Sequence, residues 1–167
     1  PTFSVSLKGE GGDDALSVQR SAGGSIVDPA LDGEVVLSLR GGGGDDDLGV
    51  DLGALSTITD DSGPASTRLQ IEMLGEGGSD RLTLTGDLQP WFSTTPYSVA
   101  GGTTIKVIGG GGNDFFNVQL LAPAKADLPT FYRTAYSILL NGEGGRDELM
   151  DGAVLPGGAL VQSVEVT

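Results

Sequence analysis

The chain has no cysteine and no histidine in its 167 residues, and only 5% of them are aromatic. Without thiolates or imidazoles it cannot build the usual structural zinc site, a cysteine nucleophile, or the ordinary general base at neutral pH. Most hydrolase triads are therefore excluded. Positive charge is also scarce: 9 basic residues stand against 23 acidic ones, for a formal charge of −14 and a pI near 4.1. Nucleic acid and anionic membranes are poor partners for such a surface, and metal cations are the sensible counterions. There is no run of 18 apolar residues, so no membrane insertion is expected. The opening PTFSVSLKGE has neither a basic stretch nor a hydrophobic core of the secretory type, as expected of a mature or excised segment.

Glycine is what the chain has in excess, with 29 residues, and much of it is periodic. Five segments share the pattern G-x-G-G-x-D-x-(L/F): GEGGDDAL from Gly9, GGGGDDDL from Gly41, GEGGSDRL from Gly75, GGGGNDFF from Gly109 and GEGGRDEL from Gly142. Their starts are 32, 34, 34 and 33 residues apart. A glycine-rich composition alone does not produce a constant interval, so the repeat is the organising feature of the chain.

The flanks repeat too. Before each first glycine stand Val5/Leu7, Leu37/Leu39, Ile71/Met73, Ile105/Val107 and Ile138/Leu140; after it stand Leu16/Val18, Leu48/Val50, Leu82/Leu84, Phe116/Val118 and then Leu149 with Asp151, where the pattern fails. Alternation with period two marks half-buried strands, so each glycine motif reads as a turn between two strands. A third, less regular stretch follows: SIVD from Ser25, STITD from Ser56, YSVA from Tyr97, TFYRTA from Thr130 and ALVQSVEV from Ala159. The expectation is an all-β single domain over residues 1–167: a right-handed parallel β-solenoid of about five coils of 32–34 residues, with three short strands each. An antiparallel sandwich is the competing architecture, and it requires no fixed interval.

Stacking such units superposes equivalent residues, so Asp14, Asp46, Asp80, Asp114 and Asp147 fall in one column. Unit charges ~4.8 Å apart repel by about 3.5 kcal/mol at an effective dielectric of 20. A divalent cation between coils converts that repulsion into ligation, and calcium accepts six to eight oxygens, backbone carbonyls included. The alternative is that each Asp caps its turn by accepting backbone amides, with no metal. On the same footing, Asp13, Asp45 and Asp47 read as a solvated rim, and Glu10, Glu76 and Glu143 as solvent-facing.

The motif resembles the RTX, or haemolysin-type, calcium-binding nonapeptide G-G-x-G-x-D-x-U-x, where U is a large apolar residue. The resemblance covers about 45 of the 167 residues. It implies metal-facing Asp14, Asp46, Asp80, Asp114 and Asp147 on turns shaped by Gly9, Gly11, Gly41, Gly43, Gly75, Gly77, Gly109, Gly111, Gly142 and Gly144. The implied anchors are Leu16, Leu48, Leu82, Phe116 and Leu149. Five turns would hold about four Ca2+ ions between successive coils. Two departures stand out: the family's second glycine is Glu10, Glu76 and Glu143 in three repeats, and one nonapeptide occurs per coil instead of a continuous run, which leaves a single ion ladder.

These readings point to a calcium-stabilised extracellular or bacterial cell-surface structural protein, such as a filament, surface-layer or adhesin scaffold, and not to an enzyme. The strand-like SVEVT at the end is shaped like the strand that precedes another glycine turn, so end-to-end self-association or continuation in a larger chain is expected. The alternative is a glycan-binding or polysaccharide-modifying β-helix module. Its candidates would be Trp91, Phe92 and Tyr97 for a sugar, and Tyr132, Arg133, Tyr136, Lys125 and Trp91 for chemistry.

Overall fold

A computed structural model describes residues 2–19, 34–54, 68–88, 102–121, 136–151 and 153–166. These residues are all-β, with parallel strands in two sheets and no helix, so none is long and apolar enough to cross a membrane. Each repeat contributes one strand to each sheet, and the glycine motif joins them. The first sheet holds β1 (Thr2–Lys8), β3 (Glu34–Gly43), β5 (Arg68–Gly77), β7 (Thr103–Gly111), β9 (Tyr136–Gly144) and β11 (Leu160–Gln162), in that order. The second holds β2 (Ala15–Gln19), β4 (Asp47–Ala54), β6 (Arg81–Asp87), β8 (Phe115–Leu121), β10 (Glu148–Leu149) and β12 (Glu165–Val166).

Parallel pairing rules out the antiparallel sandwich. Register explains the constant interval: Leu7 pairs with Leu39, Leu39 with Met73, Met73 with Val107 and Val107 with Leu140. On the other side Leu16 pairs with Leu48, Leu48 with Leu82, Leu82 with Phe116 and Phe116 with Leu149. A slip of one residue would turn every one of these side chains outward, so the apolar alternation holds the register. The inward rows of both sheets merge into one core that includes Leu37, Leu48, Ile71, Leu84, Val107, Phe116 and Leu140. Of the five anchors, Leu48, Leu82, Phe116 and Leu149 are buried, while Leu16, in the outermost strand, is only half-buried.

Two expectations change at the end of the chain. ALVQSVEV is not a third-side strand: Leu160–Gln162 continues the first sheet beside β9, and Glu165–Val166 continues the second beside β10. Hence SVEV does not precede another glycine turn; it spans a shorter one, with Ser163 at a φ of 53°. The other four third stretches, up to Arg133 and Ala135, lie outside the described residues, as do Trp91, Phe92, Tyr97, Lys125 and Tyr132. Tyr136 opens β9.

Candidate functional site: a column of buried aspartates at the glycine turns

The parallel register carries through the turn, since Gly43 pairs with Gly77, Gly77 with Gly111 and Gly111 with Gly144. The expected column follows from it. Asp46, Asp80, Asp114 and Asp147 are 1–2% exposed, and Asp14, in the first repeat, is half-buried. Each is bound to the next by the same contact. The Asp14 amide donates to Asp46 Oδ1 at 2.8 Å, that of Asp46 to Asp80 Oδ1 at 2.8 Å, that of Asp80 to Asp114 Oδ1 at 2.8 Å, and that of Asp114 to Asp147 Oδ1 at 2.9 Å.

One oxygen of each carboxylate is therefore committed. The other is not: Oδ2 of Asp46, Asp80, Asp114 and Asp147 is buried without a hydrogen-bond partner. In the first repeat Asp14 Oδ2 accepts the Glu10 amide at 3.2 Å. An orphaned buried acceptor costs roughly 1–3 kcal/mol, more when it is charged. Two of these carboxyls respond accordingly. Burial, seconded by the neighbouring carboxylates, pushes Asp114 up to about 6 against the downward pull of its backbone hydrogen bond, and raises Asp80 for the same reason.

The first glycine of each motif forms the floor of this column. A methyl group on Gly75 would meet Asp80 Oδ2 and the carbonyl oxygen of Gly109; one on Gly41 would meet Asp46 Oδ2 and stand 2.8 Å from the carbonyl oxygen of Gly75. Glycine is needed here for close approach, and the carboxylate and the next repeat's carbonyl converge on it. At the last glycine motif the Ser163 carbonyl takes that carbonyl's place against Gly142.

The third glycines behave differently: a Cβ on Gly43 would touch nothing, and on Gly77 would have only the Gly42 carbonyl at 3.8 Å. Their carbonyls are engaged between repeats, as when Gly77 accepts the Gly44 amide at 2.8 Å. The fourth glycines, which the resemblance left out of the site, carry the backbone constraint. Gly44, Gly78, Gly112 and Gly145 have φ between 128° and 136°, open to glycine and strained for other residues. No letter in the repeat distinguishes third from fourth, so only the backbone separates them.

No family model, curated protein or solved structure matches the chain. The site must be read from its own chemistry. Its free atoms are all oxygens, four buried carboxyl Oδ2 atoms with main-chain carbonyls beside them, and no side-chain cation reaches the column among the described hydrogen bonds and ion pairs. The nearby arginines serve the surface, Arg40 pairing with Glu72 at 3.2 Å and Glu76 at 3.6 Å. Glu10, Glu76 and Glu143 are exposed, as expected; Glu76 and Glu143 hold positive φ at the motif's second position, where Gly42 and Gly110 sit in the other repeats. In kind, this donor set suits a hard cation such as calcium, which takes oxygen ligands and would supply the missing positive charge.

Proposed function

We propose that the chain is a right-handed β-solenoid segment of about five coils that serves as a calcium-stabilised structural element of an extracellular or bacterial cell-surface protein. What carries this reading is the column of Asp46, Asp80, Asp114 and Asp147, each with a buried Oδ2 that nothing in the described residues satisfies. Asp14 would close the column at the outermost turn. The ions, about four, supply positive charge between successive coils. The protein's part is to hold the acceptors: the interlocked Oδ1 contacts fix each carboxyl, the first glycines let carbonyls approach, and Leu48, Leu82, Phe116 and Leu149 pin the turn to the core.

Coupling ion binding to folding makes the module conditional on calcium. At a free concentration a hundredfold above the dissociation constant, each site adds about 2.7 kcal/mol. With low calcium the acidic turns lose that contribution; in a calcium-rich exterior they regain it. The outer strands β1, β2, β11 and β12 are where further coils would add, from a longer polypeptide or a second molecule, which suits a filament or stalk. The test is circular dichroism and thermal melting in chelator and in millimolar calcium, with bound metal counted by mass spectrometry. A large calcium-dependent gain in melting temperature with several ions per chain supports the reading; indifference to chelator, with no ion retained, ends it.

A further inference from the structure

Two hydrogen-bond runs cross the turns in opposite senses. At the motif's sixth position the amide donates forward: that of Asp46 goes to Asp80 in the following repeat. At the fifth position it donates backward. The Asp45 amide goes to Asp13 Oδ1 at 3.0 Å, the Ser79 amide to Asp45 Oδ1 at 2.7 Å, the Asn113 amide to Ser79 Oγ at 3.3 Å and the Arg146 amide to Asn113 Oδ1 at 2.9 Å. The dipeptides Asp45–Asp46, Ser79–Asp80 and Asn113–Asp114 are thus tethered to both neighbouring repeats.

The fifth-position side chains are exposed, so burial does not select them. Asp, Asp, Ser and Asn share a short side chain with an acceptor oxygen, which is what reaching an amide one strand away demands. The rim expected at Asp13 and Asp45 is therefore a second ladder. It stops at Arg146, which has no acceptor, where the following turn through Ser163 lacks the motif. There the Arg146 guanidinium pairs with Glu165 at 3.3 Å instead.

We propose that Asp13, Asp45, Ser79 and Asn113 are positioning residues, each pinning the amide of the next repeat's fifth residue and so aiming the carboxyl of the sixth into the buried column. Peptide units are rigid planes. With the fifth amide held backward and, at Asp46, Asp80 and Asp114, the sixth held forward, little backbone freedom remains to the aspartate; at Asp147 the backward link of Arg146 and the Oδ1 contact with the Asp114 amide place the carboxyl without a forward one. This deepens the calcium reading by naming what prepares the acceptors, and its test is run in chelator so that either can fail alone.

The experiment compares Asn113→Leu, which removes the acceptor, with Asn113→Asp, which keeps it. Amide exchange at Arg146 and the carboxyl carbon resonance of Asp147 are followed by NMR. In Asn113→Leu the Arg146 amide should exchange about fivefold faster, the equivalent of one net hydrogen bond, and the Asp147 resonance should move; Asn113→Asp should restore both. If Asn113→Leu does not fold, Ser79→Ala at the longer 3.3 Å link provides the same pair of readouts at the Asn113 amide and the Asp114 carboxyl. Unchanged exchange overturns the proposal, and so does faster exchange with an unmoved carboxyl resonance, which would leave a clasp without aim.

Discussion

Replacing Asp114 by asparagine separates the two jobs that its carboxyl performs. Asparagine keeps Oδ1, and with it the acceptor for the Asp80 amide, but has no charge to bury. The cost of that charge follows from the environment: a carboxyl moved from 3.8 to about 6 is disfavoured as an anion by about 3 kcal/mol. In chelator at neutral pH, Asp114→Asn should recover up to that amount. At 2–4 °C per kcal/mol for a domain of this size, the melting temperature should rise by about 6–12 °C. In millimolar calcium the order should reverse, because the variant offers its neighbours no anionic ligand and forfeits part of the calcium-dependent gain. Paired melts by far-ultraviolet circular dichroism, with and without calcium, give both numbers from one preparation. A variant that melts at or below the parent in chelator would refute the burial cost, and one with an undiminished calcium response would refute ligation by Asp114.

The same carboxyl, with that of Asp80, gives the metal-free chain a pH dependence. Because the folded-state value of Asp114 lies above its unfolded value, the native state binds more protons between pH 3.8 and about 6; that stabilisation is complete below the lower value and is lost as pH rises through the higher. Melting temperature in chelator should therefore rise on acidification from pH 7 to pH 5, and a flat or falling profile would contradict the burial argument. The glycines should also divide by position. Gly75→Ala, which drives a methyl group into Asp80 Oδ2 and the Gly109 carbonyl, should cost at least the ~1–3 kcal/mol of core overpacking. Gly77→Ala, with only one carbonyl at 3.8 Å, should lie within about 0.5 kcal/mol of the parent in urea titrations.

Repetition made much of this legible in the sequence. Leu39, Met73 and Val107 can be aligned by eye because parallel in-register pairing demands equal spacing on both sides of the turn, and the burial of Asp46, Asp80, Asp114 and Asp147 follows from the same stacking. What stayed hidden depends on relations between repeats that no single repeat displays. The opposite directions in which Asp45 and Asp46 donate are set by peptide orientation, so Asp13 and Asp45 read as a solvated rim beside the column and not as a second ladder. Gly77 and Gly78 are the same letter, yet only Gly78, at a φ of 132°, needs to be glycine for its backbone. At the far end, VQSVEV keeps strand-like alternation while dropping the motif, so a shortened turn read as the start of another unit.

The stacking of one repeat on the next also determines how the protein bears force. Pulled across the strands, from β1 toward β11, the junctions between repeats lie in series, and each carries the full load. The whole can then be no stronger than its weakest link, and extension should proceed as discrete steps of one repeat each. Among the described strands that link is the last junction, where β11 meets β9 over three residue pairs and β12 meets β10 over two, against eight and seven at the junction that Ser79 spans. The Ser79 hydroxyl, whose 3.3 Å bond to the Asn113 amide is the longest of its ladder, would come to matter only once that last junction had been strengthened.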